Sequence, residues 1–382
     1  MSLFAAEGGS LFLTKVSVGT PAQSLEVVVD TGSSDTWFVL ANFTCLDPTT
    51  SAFQSQKSCL FPRFFKPTSS SLSVIPNTNF NISYQDGEYI NGVMVKETIS
   101  VAGITLKQQE MALATETAWY GDGYSSGLLG LAYPYLTNAY PGTNASNDDP
   151  DDYMPYNPTF TSMYEENKTS SMFSLALNRQ PSTAPLGSVS GGYLAIGGIP
   201  NIAHASTFVS TPINVAAVTA NNVSIYEYYS ITVDGYGVSR NQNAQFNVAN
   251  TKGTTKVQLL DRNTAAIVDS GTTLLLAPND VAEAVALAFD PPGEYDEDSG
   301  YILVECNATV PLFGIAITGK MIYVNPLDLV LQESETICLS GVQPDFGGLS
   351  VLGDVFLRNV LAVFDVGAAQ MRFSAREFSA LH

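Results

Sequence analysis

Two stretches of the chain share one pattern: Val28-Val29-Asp30-Thr31-Gly32-Ser33-Ser34 and Ile267-Val268-Asp269-Ser270-Gly271-Thr272-Thr273. Each is an apolar run typical of a buried strand that delivers an aspartate to a tight turn. Two ordinary turns are the alternative interpretation, but each stretch is also followed by two aliphatic residues and a glycine, Leu128-Leu129-Gly130 and Val351-Leu352-Gly353. Two copies in the same order predict two related halves, each contributing one aspartate.

The rest of the sequence predicts a mostly β protein. Short β-branched and aromatic runs alternate with Gly, Pro, Asn and Asp turns, and one clear helix is predicted at Val281–Phe289. A Pro-, Ser- and Gly-rich stretch near residue 190 predicts two lobes, an N-terminal lobe over 1–190 and a C-terminal lobe over 191–382. Two polar segments, 144–152 and 239–255, are predicted to be surface insertions.

Composition restricts the function. The chain has 36 acidic and 16 basic residues, a net charge of −20, and only two histidines. Such a surface repels phosphate backbones and anionic lipids, which argues against nucleic-acid and membrane-surface partners. No apolar run approaches the roughly 18 residues of a membrane span. We therefore expect no metal, no cofactor and no histidine-based catalysis, and chemistry that uses carboxylates.

Asp30 and Asp269 meet if the two halves pack face to face. Two carboxylates in contact cannot both ionise cheaply, so they share one proton and titrate as a coupled pair. Such a pair can deprotonate a water with one carboxyl group and protonate a carbonyl or a leaving amine with the other. Glycines let the backbones approach, and hydroxyls can fix the carboxylates; these residues are Thr31, Gly32, Ser33, Ser270, Gly271 and Thr272.

With these motifs the chain resembles the pepsin-like aspartic endopeptidases, a bilobal family, from about Leu11 to Ser374. Val16–Gln23 resembles the family's first strand and turn, and Trp37 stands where the family places a tryptophan behind its flap tyrosine. Ile82-Ser83-Tyr84-Gln85-Asp86-Gly87 resembles the flap, with Tyr84 as the tyrosine that closes over the substrate. The resemblance implies a fungal-type secreted acid endopeptidase that cleaves extended polypeptides in a cleft between its two lobes.

The resemblance also implies residue roles. Asp30 and Asp269 activate the water, Thr31 and Ser270 support the dyad between the lobes, and the hydroxyls of Ser33 and Thr272 bond the carboxylates. It further implies polypeptide substrates, inhibition by pepstatin-type compounds, a monomer, and synthesis as a zymogen whose prosegment blocks the cleft. The start of the sequence has no signal-peptide core, so we expect it to represent the mature form.

Asp86 is the residue with the most information about specificity. In a Gln-Asp-Gly sequence it is a turn former, which is the plain interpretation. The resemblance adds that fungal and yeast members with Asp at this flap position often accept a basic residue before the scissile bond. We therefore hypothesise cleavage after hydrophobic residues and also after Lys.

Cysteines and sequons indicate an oxidising, secretory compartment. The cysteines fall into two local pairs, Cys45 with Cys59 and Cys306 with Cys338, which is the most economical of three connectivities, with four free thiols as the alternative. Sequons predict glycosylation at Asn42, Asn81, Asn144, Asn167, Asn222 and Asn307. We expect secretion, and leave a cell-wall-tethered or vacuolar location open.

Two other function classes compete with the protease. A non-catalytic relative would use the same scaffold for binding, but such relatives usually lose an aspartate or the flap tyrosine. A glycosidase also uses two carboxyl groups, but it needs them in two unlike environments. The near-identical surroundings of Asp30 and Asp269 favour a symmetric dyad.

Overall fold

Strands make up most of the regular structure in the computed structural model, which describes residues 1–6, 9–84, 86–180, 190–246, 258–332 and 337–376. The prediction of a mostly β fold is confirmed. The strands of the first half, in chain order, are β1 (Ser2–Ala6), β2 (Leu11–Val18), β3 (Gln23–Asp30), β4 (Thr36–Leu46), β5 (Phe53–Gln54), β6 (Ser73–Ser83), β7 (Tyr89–Val101), β8 (Ile104–Ala118), β9 (Gly127–Gly130), β10 (Ala139–Pro141), β11 (Met172–Leu177) and β12 (Ser190–Ile196).

Shorter strands follow in the second half. They are β13 (Val209–Pro212), β14 (Ala217–Val218), β15 (Ser224–Ile225), β16 (Ser230–Ser239), β17 (Gln258–Val268), β18 (Leu275–Ala277), β19 (Glu294–Asp296), β20 (Tyr301–Val304), β21 (Leu312–Ile317), β22 (Lys320–Val324), β23 (Val330–Gln332), β24 (Cys338–Ser340), β25 (Val342–Pro344), β26 (Ser350–Leu352), β27 (Val360–Asp365) and β28 (Gln370–Ala375).

Helices are few and short among the described residues. They are α1 (Thr159–Glu165), α2 (Asn279–Ala288) and α3 (Asp354–Leu357), with 3-10 turns at Gln56–Cys59, Pro134–Leu136, Ala145–Asn147 and Pro326–Asp328. The predicted helix is confirmed as α2, which begins two residues earlier than expected because Pro278 is its N-cap. Its buried face carries Val281, Ala282, Val285 and Ala286 at helical spacing.

Three multistranded sheets carry the fold. The largest has 15 strands in the order β10-β6-β7-β8-β4-β9-β3-β2-β1-β12-β11-β27-β28-β13, with β5 paired to β4. A seven-stranded sheet (β22-β21-β16-β17-β26-β18-β25) and a four-stranded sheet (β19-β20-β24-β23) belong to the second half. β12 starts at the predicted lobe boundary but pairs with both β1 and β11, so the large sheet is shared by the two halves. The boundary at 190/191 stays a prediction, since residues 181–189 lie outside the described part.

The repeated sequence pattern corresponds to a repeated strand arrangement. β3 pairs in parallel with β9, and β9 pairs on its other side with the antiparallel β4. In the second half β17 pairs in parallel with β26, and β26 pairs with the antiparallel β18. Each aliphatic-aliphatic-glycine element is therefore the strand inserted between the two arms of an aspartate-bearing loop.

The glycine that closes each inserted strand is required for space. A Cβ on Gly130 would lie 2.4 Å from the carbonyl carbon of Ser34, and a Cβ on Gly353 would lie 2.2 Å from the carbonyl oxygen of Leu274. Both contacts are with the backbone of the aspartate loop, which cannot move aside cheaply. The two glycines therefore let the inserted strands approach the aspartate-bearing loops.

Both local disulfides are confirmed. Cys45 bonds to Cys59 and Cys306 to Cys338, which leaves no cysteine free and excludes the alternative of four thiols. Residues 144–152 form a mostly exposed loop, as predicted, whereas much of the predicted insertion 239–255 lies outside the described residues. None of the helices in the described ranges is long and apolar enough to cross a membrane.

The predicted sequons differ in accessibility. Five of the asparagines are exposed: Asn42, Asn144, Asn167, Asn222 and Asn307. Asn81 is half-buried within β6, and its side-chain N–H donates to Asp148 of the 144–152 loop at 3.2 Å. The sequence pattern alone treats the six sites alike, because it does not show which asparagine is already hydrogen-bonded.

Candidate active site

The two aspartates meet at the point where the two halves face each other. Asp30 ends β3, and Asp269 directly follows β17. Both are almost fully buried, with 6% and 7% of their surface exposed. The parallel neighbours β9 and β26 hold the ends of these strands, so each carboxyl group stands on a rigid sheet rather than on a free loop.

The two carboxyl groups have equivalent hydrogen-bond partners. In each, one oxygen accepts a backbone N–H from two residues further along the chain, and the other accepts a hydroxyl from three residues further along. The donors are Gly32 (2.7 Å) and Ser33 for Asp30, and Gly271 (2.8 Å) and Thr272 (2.6 Å) for Asp269. This match is the symmetric environment that the two sequence motifs predict.

The turn glycines lie against the opposite aspartate. A Cβ on Gly32 would lie 2.4 Å from the carboxyl carbon of Asp269, and a Cβ on Gly271 would lie 2.6 Å from Oδ1 of Asp30. Any side chain at either position would collide with the dyad. The absence of a side chain at both glycines is what allows the two carboxyl groups to come into contact.

Thr31 and Ser270 connect the two halves beneath the dyad. The hydroxyl of Thr31 donates to the carbonyl of Val268 at 2.9 Å, and the hydroxyl of Ser270 donates to the carbonyl of Val29 at 2.8 Å. Each hydroxyl also accepts the backbone N–H of the other residue. Four buried hydrogen bonds therefore fix the position of one aspartate relative to the other.

Burial and the neighbouring Asp269 change the titration of Asp30. The pKa of Asp30 is raised well above its usual range, chiefly by burial, and further by the charge of Asp269 and a hydrogen bond with it. The donors Ser33 and Gly32 act in the opposite direction because they favour the ionised form. Asp30 therefore retains its proton in the acid range.

Two further carboxyl groups, Asp35 and Asp354, are buried, and sequence reasoning assigned neither a role. Burial raises the pKa of Asp35 to about 6, although it accepts hydrogen bonds from Tyr156 at 2.6 Å and from Asn138. Asp354 is fully buried in α3 and its pKa is raised well above normal, by burial and against the opposing charge of Arg358. Each directly follows one of the motifs, Asp35 after Ser34 and Asp354 after Gly353, but a sequence does not show burial.

The predicted flap is a hairpin between β6 and β7. The backbone N–H of Tyr84 donates to the carbonyl of Glu88 at 2.8 Å, and Gly87 takes a φ of 90° at the turn. Trp37 donates its indole N–H to the phenol oxygen of Tyr84 at 2.8 Å, which places the tryptophan behind the flap tyrosine. Burial raises the pKa of the Tyr84 phenol well above its usual range, and the charge of Asp30 adds to the shift.

Aromatic side chains form a wall behind the flap. Trp119 makes edge contacts with Tyr84 and Trp37, at ring-centroid distances of 5.6 and 5.4 Å, and stacks with Phe61 at 6.1 Å. The sequence interpretation identified Trp37 and Tyr84 but missed Trp119. The only signal was its place at the end of a long strand, and that is no indication of a site.

Asp86 is exposed at the tip of the flap, and its Oδ1 accepts the backbone N–H of Glu88 at 3.0 Å. The turn-forming interpretation of Asp86 therefore has a structural counterpart. Its side chain is nevertheless exposed to solvent on the outer side of the turn. Gln85, the neighbouring flap residue, lies outside the described part of the chain.

Comparison with known proteins agrees with this geometry. A family model described as "Eukaryotic aspartyl protease" matches residues 11–376. A probable aspartic-type endopeptidase of Aspergillus fumigatus is 37% identical over 372 residues, covering 95% of this chain and 78% of the relative. Rhizopuspepsin-4 of Rhizopus niveus is 27% identical, covering 94% of this chain and 76% of its own length. Cathepsin D of Clupea harengus is 27% identical, with coverages of 94% and 80%.

Proposed function

Since this chain belongs to the eukaryotic aspartyl protease family and is an aspartic-type endopeptidase, we propose that Asp30 and Asp269 are its catalytic dyad and that it works in acid. One observation carries the proposal. The two carboxyl groups have equivalent donors, and each lies against the turn glycine that follows the other aspartate. A glycosidase needs two unlike carboxyl groups, so this symmetry favours peptide hydrolysis.

The dyad holds one proton at the start of the reaction, and each step transfers a proton to or from one of its two carboxyl groups. The ionised carboxylate takes a proton from a water, whose oxygen forms a bond to the peptide carbonyl carbon. The protonated carboxyl group gives its proton to the carbonyl oxygen, which produces a neutral tetrahedral diol. The carboxyl group that took the proton from water then gives it to the amide nitrogen, and the C–N bond breaks. As the diol collapses to a carboxylic acid, one of its hydroxyls returns a proton to the dyad, and the amine leaves. The dyad finishes with one proton and can begin again.

The experiment that tests this function is the cleavage of denatured globin between pH 3 and 4, with and without a pepstatin-type inhibitor. We expect cleavage that the inhibitor blocks. Hydrolysis of glycan substrates, or no hydrolysis by the wild-type protein under these conditions, would contradict the proposal. A non-catalytic relative would bind the inhibitor without cleaving globin.

Substrate preference is the finer part of the proposal. The aromatic wall of Trp119, Tyr84 and Phe61 supports a preference for a hydrophobic side chain before the scissile bond. The exposed carboxylate of Asp86 supports acceptance of Lys at the same position. A charge-assisted pair in a pocket closed by substrate contributes about 1 to 3 kcal/mol.

Asp86→Asn tests the Lys preference, because the asparagine oxygen can still accept the N–H of Glu88 and preserve the turn. In matched peptides with Lys or Phe before the scissile bond, we expect kcat/KM for the Lys peptide to fall about 5- to 100-fold. The Phe peptide should be cleaved at the original rate. Asp152→Asn, which removes an exposed charge outside the flap, is the control. Equal losses for both peptides would contradict the preference.

We further propose that the protein is secreted, which the two disulfides and the exposed sequons support, and that it acts as a monomer. Fractionation of the native host into culture medium, cell wall and vacuole tests the location. We expect the protein in the medium; recovery from the wall or the vacuole would replace that assignment. Light scattering at acid pH tests the monomer.

A further inference from the structure

Glu88 is a buried acid at the base of the flap. Only 8% of its surface is exposed, although it stands in a surface hairpin next to the turn. Its main chain completes the turn, since its carbonyl accepts the N–H of Tyr84 and its own N–H donates to Asp86. The side chain is not needed for that turn, so its burial requires another explanation.

The carboxyl group of Glu88 joins the flap to the segment that follows β8. Its Oε1 accepts the backbone N–H of Tyr120 at 2.7 Å. Tyr120 follows Trp119, whose ring contacts the ring of Tyr84. This hydrogen bond therefore joins the hairpin that carries Tyr84 to the segment that carries Trp119. The carboxyl group also forms a side-chain hydrogen bond with Asp86, which one of the two acids must donate.

Among the residues that the structure describes, the charges that act most strongly on Glu88 are acidic. Asp86 comes from the flap and Asp122 from the segment after β8, while the Tyr84 phenol lies nearby. Asp122 is held by the N–H groups of Tyr124 and Ser125, both at 2.6 Å. An ionised Glu88 would therefore face two carboxylates and lose its hydrogen bond to Asp86, whereas a protonated Glu88 satisfies all its contacts.

We propose that Glu88 is a positioning residue whose protonated carboxyl group fastens the flap to the 119–125 segment, and that loss of this proton releases the flap. The proposal rests on the proposed role of Tyr84 as the residue that closes over substrate. Glu88 itself touches no reacting atom and acts through Tyr84 and Asp86. The flap is thus fastened in acid, where the dyad works.

The electrostatics of the site agree with this geometry. Burial raises the pKa of Glu88 to about 8, and the charges of Asp86 and Asp122 raise it further, while the hydrogen bond from the Tyr120 N–H acts in the opposite direction. The pKa of Tyr84 is raised well above 10, so the phenol stays protonated at pH 8. A change at the flap near pH 8 would therefore come from Glu88 rather than from the tyrosine.

Intrinsic tryptophan fluorescence can be used to follow this region of the protein. It has two tryptophans, and both contact Tyr84. Trp37 donates to the Tyr84 hydroxyl, and Trp119 lies edge-on to the ring, so intrinsic fluorescence reports the position of the flap. No label or introduced tryptophan is needed.

The first experiment follows tryptophan emission from pH 4 to pH 9 in the wild-type protein, in Glu88→Gln and in the control Glu116→Gln. Glu116 is a half-buried acid of β8 that bonds Asn91 instead of the flap. Glutamine can accept the Tyr120 N–H and donate to Asp86 at every pH. We expect a transition near pH 8 in the wild type and in the control, and none in Glu88→Gln. Transitions with the same midpoint in all three proteins would overturn the proposal.

The second experiment measures kcat and KM for a Phe-containing peptide at pH 4 in the wild type, Glu88→Gln and Glu88→Ala. We expect Glu88→Ala to raise KM about tenfold with a smaller change in kcat, and Glu88→Gln to restore KM to within about twofold. Unchanged KM in a folded Glu88→Ala protein would overturn the proposal. An inactive wild type would instead contradict the proposed function, so the two failures are distinguishable.

Discussion

Thr31 and Ser270 hold each other across the two halves of the molecule: the Ser270 N–H donates to the Thr31 hydroxyl at 3.0 Å, and the Thr31 N–H donates to the Ser270 hydroxyl at 3.2 Å. Neither residue donates or accepts a proton in the proposed reaction. Because each stands next to an aspartate, their bonds convert two separate strand ends into one rigid carboxyl pair.

Thr31→Ala tests this connection. The change leaves the N–H of Ser270 and the carbonyl of Val268 without their partner, and each buried unpaired group costs about 1 to 3 kcal/mol. We expect the free energy of unfolding to fall by about 2 to 5 kcal/mol and kcat to fall with it, because the carboxyl groups lose their fixed separation. Thermal unfolding at pH 4 and steady-state kinetics measure the two effects.

Thr31→Ser is the matched control, since it keeps the hydroxyl and removes only a methyl group. Serine already performs the same task at position 270. We expect most of the activity to survive in Thr31→Ser. If alanine and serine gave the same loss, packing of the threonine methyl group would matter more than the hydrogen bonds.

Stability should be highest in acid. Four buried carboxyl groups have raised pKa values: Asp30, Asp35, Glu88 and Asp354. A raised folded-state pKa gives stability that is complete below the unfolded value near 4 and is lost as the pH rises through the folded value. Asp47 and Asp296 have lowered pKa values and oppose the trend weakly, because solvent screens them. The thermal midpoint should therefore fall by several degrees from pH 4 to pH 8; a rise would contradict the account.

Asp35→Asn should remove part of that pH dependence. Burial raises the Asp35 pKa to about 6, so ionising it above that pH costs about 3 kcal/mol of folding free energy. An asparagine can accept the Tyr156 hydroxyl, and the amide of Asn138 can turn to pair with it. We expect a flatter stability curve between pH 4 and pH 7, measured by urea unfolding. A curve parallel to that of the wild type would rule out Asp35 as a contributor.

Asn81 should carry no glycan when the protein is made in a secretory host. Its amide nitrogen donates to Asp148, whose other oxygen accepts Asn79 at 2.9 Å, so a sugar on that half-buried nitrogen would collide with the 144–152 loop that packs against it. Peptide mapping after deglycosylation in heavy-oxygen water should show modification only among the exposed sequons. Full occupancy at Asn81 would contradict this reading of the loop.

The sequence predicted the structural features that depend on short segments of the chain. The two aspartate turns, the inserted strands that end at Gly130 and Gly353, and the local disulfides all follow from patterns within short segments. Helix α2 was also predictable, because proline flanks it and its apolar residues recur at helical spacing.

What the sequence could not provide depends on contacts between distant segments. Glu88 reads as an exposed turn acid, and its burial follows only from the approach of Tyr120. Trp119 reads as the end of a strand, and its contact with Tyr84 needs the flap to fold back over it. The sequence also does not show that β12 pairs with β1 and β11 of the first half, because strand order in a sheet is not a local property.

The most direct test of the dyad compares Asp30→Asn, Asp269→Asn and the double variant in globin cleavage at pH 3.5. If the two carboxyl groups act as one unit, each single variant loses as much activity as the double variant, and the losses do not add. We expect at least a 1,000-fold fall, about 4 kcal/mol of transition-state stabilisation, in all three folded proteins. Substantial cleavage by either single variant would contradict the account, because one carboxyl group would then be sufficient.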